Sequence, residues 1–176
     1  KYLIDEKQKL FCYYLTDGLY ITGGAINNGG IALQWLIEKI LKDDFKNEKK
    51  FHALIKDAAK IKPGANGLIF LPYIIGERSP VWDENARGAF IGLTAAHTKT
   101  HLTKAVLEGI CFSIVEVMHA LEETSGTIKN IYLSGGIIKS DEWVQLLADI
   151  SGKKIMVNET ADASALGAAF IGMKAI

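Results

Sequence analysis

Residues Asn130 to Asp149 read NIYLSGGIIKSDEWVQLLAD, and this stretch decides the fold. Ile131, Tyr132 and Leu133 form a short apolar run suited to a buried strand, and the pattern breaks at Gly135-Gly136. It restarts with Trp143, Leu146, Leu147 and Ile150 at helical spacing. Glycines without a Cβ accept positive φ and let a ligand come close, which makes the turn a place for Gly135 and Gly136 to meet one. Ser140 stands where a helix N-cap belongs, so the positive end of the helix dipole faces the same turn. Strand, diglycine turn and helix N-terminus together make a seat for a nucleotide. By itself the arrangement also describes an ordinary βα connection, and it matches neither the G-x-G-x-x-G fingerprint nor the P-loop.

Downstream, Lys154 to Val157 reads as another short strand, and Ser164 to Lys174 as a helix of small apolar residues whose Gly167 and Gly172 would allow close packing. Upstream, Thr98 to Thr124 reads as one long helix. Its stripe of Leu107, Ile110, Cys111, Ile114, Val117, Met118 and Leu121 places it in the middle of the domain. His97 and His101 stand four apart at its start, but no third ligand sits at metal-binding spacing, so they read as a surface pair. Before them, Gly76 to Gly88, GERSPVWDENARG, is polar and aperiodic, a loop in which Asp83 and Arg87 are placed to pair. Leu68 to Leu71 is a strand, Phe51 to Ala58 a short amphipathic helix, and Asp43 to Lys50 a charged loop.

The first segment carries a second glycine-rich turn. Leu10 to Leu15 and Leu19 to Ile21 are β-rich runs joined by Thr16-Asp17-Gly18, a tight-hairpin signal. TGGAINNGG, Thr22 to Gly30, then opens a helix with Leu33, Leu36, Ile37, Ile40 and Leu41 on one face, and with Gln34 one turn in, near whatever the turn binds. Strands alternating with helices imply an α/β domain with a mixed sheet.

With 49% apolar and 23% charged residues, the 176-residue chain has the composition of one soluble globular domain. Lys plus Arg balance Asp plus Glu at 20 each, so no net field draws in nucleic acid or an anionic membrane. Cys12 and Cys111 form no C-x-x-C and read as buried free thiols of a reducing compartment, the cytoplasm. No apolar run reaches the roughly 18 residues of a membrane span. The opening KYLIDEKQK has neither an initiator Met nor a signal-peptide core, which suggests a domain cut from a longer protein.

The segment PYIIGERSPVWDENARGAFIGLTAAHTKTHLTKAVLEG, Pro72 to Gly109, resembles the FGGY family of carbohydrate kinases. GAFIGL, seven residues and then HLTKAVLE reproduce the family's second signature. GGAINNGGIALQWL, LSGGIIKSDEWVQLLAD and SALGAAFIG follow the family's order, so the resemblance covers essentially the whole chain. It implies an actin-like, ribonuclease H-like fold of two closing domains, with this chain, residues 1–176, as the C-terminal nucleotide-binding one. It also implies Mg2+ and ATP as cofactors and a sugar or sugar acid as acceptor, with gluconate closest and xylulose next. Carried over by residue, Gly30 and Gln34 match positions near the phosphates and ribose, and Gly135, Gly136 and Ser140 match the turn that holds adenosine. The family's catalytic aspartate and sugar contacts match nothing in this chain, so the piece alone is expected to be inactive, with its own N-terminal domain as partner. A second copy of the chain is a further candidate partner. Two other classes share parts of the pattern: an actin-like ATP-driven switch, which would lack the signature from Gly88 to Glu108, and a non-catalytic dimerisation domain, which would need neither Gln34 nor Ser140.

Overall fold

A computed structural model of the chain describes residues 2–157 and 163–174. Its axis is the helix α3, Lys99–Ser125, which is buried from Thr103 to Gly109 on every side. The helix starts where Thr98 N donates to His101 Nδ1 at 3.2 Å, and it ends at Gly126, whose φ of 91° suits the residue after a helix. His97 Nδ1 likewise accepts from Thr94 N at 2.9 Å. Both imidazoles are thus occupied in local capping, and among the described residues no group of three or more metal-ligating side chains occurs.

Around α3 stand α1, Gly30–Trp35, continued by a π-helical turn over Leu36–Ile40; α2, Glu48–Ala59; and α4, Asp141–Ser151. Leu33 and Leu36 from the first, Ile55 from the second, Ile110 from α3 and Leu147 from α4 meet in one core. The single apolar face expected from Leu33 to Leu41 needs correcting at Ile40, which is exposed. The wider π turn, closed by Leu41 N on Leu36 O at 2.9 Å, rotates Ile40 off the face that Leu33, Leu36 and Ile37 bury. The charged loop is also shorter than 43–50, because Asn47 Oδ1 accepts from Lys50 N at 3.2 Å and starts α2 at Glu48.

Among the described residues, strands pair in three two-stranded ladders. β1, Phe11–Thr16, and β2, Leu19–Gly23, form the antiparallel hairpin; Asp17 and Gly18 both have positive φ, 47° and 75°, as a primed turn requires. β3, Ile69–Leu71, pairs antiparallel with β4, Ala89–Ile91, Phe70 opposite Phe90 with ring centroids 4.5 Å apart. β5, Asn130–Leu133, and β6, Lys154–Val157, are parallel and joined through α4. Parallel and antiparallel pairing thus both occur, in separate ladders among the described residues.

The last helix, α5, Ala163–Lys174, exposes Leu166, Phe170, Ile171 and Met173. The close packing expected at Gly167 and Gly172 is not formed, since a Cβ built at either would meet no atom within 4 Å. No described helix is long and apolar enough to cross a membrane.

One ion pair is buried in the core. Lys104 Nζ lies 3.6 Å from Glu108 Oε1, both side chains are 7% exposed, and the same oxygen accepts from Gly64 N at 3.0 Å.

Candidate functional site

The two glycine-rich turns face each other across one cleft. Leu33, Leu36 and Ile37 fix α1 to the core and bring its N-terminal end, Gly29-Gly30, to one wall. On the other side β5 ends at Leu133, and the chain turns through Ser134 and Gly135 into a 3-10 turn, Gly136–Lys139, before α4. The cleft between them has a volume of about 640 Å³. Ile110 and Ile114 of α3 and Trp143 of α4 also line it, while Phe45, Lys46, Phe51 and His52 bound it on the side of α2.

The expected residues divide into two groups. Gly30 and Gly136 line the cleft. Gly135, beside it, carries the strained backbone, φ 80° and ψ −158°, whereas the positive φ expected at Gly136 is not there: Gly136 begins the 3-10 turn in an ordinary conformation. The diglycine thus splits its work, one residue to turn the chain and the other to keep the wall open. Gln34 points along its own helix, with Nε2 donating to Glu38 Oε1 at 3.1 Å. Ser140 is 2% exposed; its Oγ accepts from Trp143 N at 3.3 Å and donates to Glu142 Oε2 at 2.9 Å. That hydroxyl is the N-cap of α4, as its position suggests. Ser140→Ala is expected to cost about 0.5–2 kcal/mol of stability. The thermal melt would register that loss, and nucleotide titration should show no weakening beyond it.

The aromatic wall escaped sequence reading. Phe45 sits in a charged segment, and Phe51 reads as an ordinary apolar helix position; only the fold shows their rings edge to face at 5.5 Å, with His52 edge to face on Phe51 at 5.7 Å. An aromatic inside a charged loop is the one signal that could have flagged Phe45. Trp143 Nε1 is buried without a hydrogen-bond partner. Burial drives the neighbouring Cys111 thiol up to about 12, against a smaller opposing pull from the Trp143 indole. Cys111 therefore stays protonated and inert in the folded chain far above the ordinary thiol value of 9.0. Because the unfolded thiol ionises near that ordinary value, the group's contribution is whole below it and is lost as pH rises towards the folded value. Thiol labelling of the native protein near pH 8 should modify Cys12, which is partly exposed, and spare Cys111. Rapid labelling of Cys111 would show that α3 and α4 open readily.

The loop from Gly76 to Gly88 lies beside the first turn. Glu77 is 3% exposed, its Oε1 accepts from Asn27 N at 2.5 Å, and its Oε2 accepts from Asn28 Nδ2 at 3.1 Å. Asp83 and Arg87 do not pair as expected. Asp83 Oδ1 accepts from Asn85 N at 2.7 Å, while Arg87 Nη1 donates to the Glu84 and Ala86 carbonyls at 3.0 and 2.9 Å, because the local turn satisfies both side chains first.

The model of the FGGY family of carbohydrate kinases, C-terminal domain, matches residues 5–176. The chain belongs to this family. A gluconokinase of Bacillus licheniformis is 39% identical to this FGGY domain over 177 residues, covering 97% of the chain and 34% of the relative. The crystal structure of ligand-bound xylulose kinase from Lactobacillus acidophilus superposes with a TM-score of 0.85 at 35% identity, over 98% of this chain and 34% of that one. Plasmodium falciparum glycerol kinase with ADP gives a TM-score of 0.75 at 28% identity, over 91% and 32%. The FGGY domain thus spans about a third of the length of the relatives it matches. Its architecture is the actin-like α/β fold of those kinases.

Proposed function

We propose that this chain is the nucleotide-binding half of an ATP-dependent kinase acting on a sugar or sugar acid, gluconate first and xylulose as the second reading. The observation that carries the proposal is the meeting of Gly29-Gly30 and Gly136 at one cleft. The cleft's chemistry suits a nucleotide. Phe45, Phe51, Ile137 and Trp143 offer apolar and aromatic surface for a base, and Lys46 offers positive charge to phosphates. Gly135, Gly136 and the α4 end capped by Ser140 take the adenosine side, and Gly30 and Gln34 the phosphate side. Mg2+ would travel with the phosphates, the usual way this ion reaches kinase sites. ATP supplies the γ-phosphoryl group; this chain's residues bind, orient and keep the nucleotide's place, and such positioning makes up most of catalysis in phosphoryl transfer.

The residues that hold the sugar and deprotonate its hydroxyl belong, in this reading, to the N-terminal domain of the same protein, in the cytoplasm. Exposed apolar side chains such as Tyr13, Tyr14 and Phe170 support an extensive partner surface of that kind. A general base must come within about 2.6–3.2 Å of the proton it takes, or act through one water. Asp83 is the exposed carboxylate best placed to challenge this division, and its turn hydrogen bond argues for a structural role. Asp83→Asn in the intact kinase is therefore expected to leave the single-turnover rate within about threefold, whereas loss of a general base costs about 100-fold or more. A loss on that larger scale, with ATP affinity and melting unchanged, would move the base into this chain. A substrate panel on the intact protein tests the acceptor: gluconate should give the highest kcat/KM, and a preference for xylulose would select the second reading.

A further inference from the structure

We infer that Glu77 is a positioning residue for the nucleotide site: its buried carboxylate fixes Asn27-Asn28, and through them the place of Gly29-Gly30 at the cleft wall. The inference rests on the nucleotide reading of that cleft. Glu77 forms no ion pair with a lysine or arginine among the described residues; its charge is held by N–H donors alone. Besides Asn27 N and Asn28 Nδ2, Arg78 N donates to Oε1 at 2.9 Å. A carboxylate taken out of water is tolerated when such charge-assisted bonds replace hydration, and each lost bond then leaves buried charge unsatisfied. The backbone at Asn27 therefore cannot drift without that penalty.

Four further contacts hold the same two segments together. Asn28, fully buried, donates from Nδ2 to Gly76 O at 2.6 Å and accepts on Oδ1 from Ile75 N at 3.2 Å. Ser79 N donates to Ala25 O at 3.1 Å, and Arg78 Nε to Asn27 Oδ1 at 2.8 Å. Gly24 lies so close against Ser79 that a Cβ would collide with its side chain. The loop is itself pinned from behind, because the Lys9 carbonyl accepts from Ser79 Oγ at 2.6 Å and from Trp82 Nε1 at 3.2 Å. Glu77, Asn28 and Ser79 do not line the cleft, so their influence on a ligand must pass through the position of Gly29-Gly30.

Replacing Glu77 by Gln keeps the shape but turns one acceptor oxygen into an N–H2 that faces other donors. In the intact kinase, Glu77→Gln should raise the KM for ATP by about tenfold, the scale of one lost charge-assisted hydrogen bond. The KM for the sugar and kcat should stay within about threefold, because an interaction lost equally from ground and transition states shows in KM. An unchanged ATP KM in folded Glu77→Gln, or equal rises in both KM values, overturns the inference and leaves Glu77 as a general stabiliser of the fold. If that variant does not fold, Arg78→Met decides. It removes only the exposed Arg78 Nε contact to Asn27 and should raise the ATP KM selectively by about two- to fourfold; no change overturns the inference. Gly136→Val separates the two levels. If it leaves ADP affinity intact, the adenosine assignment on which the inference rests fails; if it weakens ADP while the Glu77 and Arg78 variants do not, only the positioning role fails.

Discussion

Gly136→Val in the intact kinase is expected to weaken ADP binding by at least about tenfold, or 1.4 kcal/mol, while the melting temperature stays where it is. The pairing of a large effect on binding with a small one on folding follows from the geometry. Gly136 lines the cleft, its φ is not positive, and a Cβ built there meets no atom within 4 Å. Valine can therefore enter the 3-10 turn without collision, and its branched side chain, stiff at χ1, stands in the space a nucleotide needs. The same substitution at Gly135 would be a poorer test, since its φ of 80° is unfavourable for any residue with a Cβ and the loss would mix strain with occlusion. Isothermal titration beside a thermal melt reads both quantities. Unchanged ADP affinity would dismiss the adenosine side from the Gly136 turn.

Glu108→Ala is expected to destabilise the chain by about 3–5 kcal/mol, the cost of leaving one member of a buried ion pair without its partner. Lys104 would be left inside the bundle with its carboxylate partner gone, and Gly64 N would lose its acceptor as well. Urea unfolding measures the loss as a lower midpoint at unchanged slope. The double replacement Lys104→Met with Glu108→Leu should recover much of it, because removing both charges also removes their desolvation. A loss below about 1 kcal/mol for Glu108→Ala would mean that Lys104 is as well solvated as a surface ion pair.

The fold was legible where local chemistry is strong. Asp17-Gly18 announced its hairpin, Ser140 its cap, and the apolar stripe of α3 the centre of the domain. β4 was not legible: its three residues, Ala89–Ile91, are bracketed by Gly88 and Gly92, and they become a strand by pairing with the distant Ile69–Leu71, where Phe70 and Phe90 meet with tilted rings. The same limit applied to the cleft. Glycine content marked Gly30 and Gly136, since backbone geometry is a local property, while the Phe45, Phe51, His52 wall depends on how α2 packs on α3 and has no local signature. Asp83 and Arg87 show the opposite error, a plausible local pairing that neighbouring backbone groups pre-empted.

The cleft is also a mechanical element. Its walls come from the first and last thirds of the chain and meet mainly through α3, so an occupant touching both would tie them together as a cross-link does, only reversibly. Its grip would scale with concentration: a ligand at 100 times its dissociation constant adds about 2.7 kcal/mol to the folded state. Amide exchange should then slow together at Gly30 and Gly136, residues that share no hydrogen bond, when ADP is added to the intact kinase.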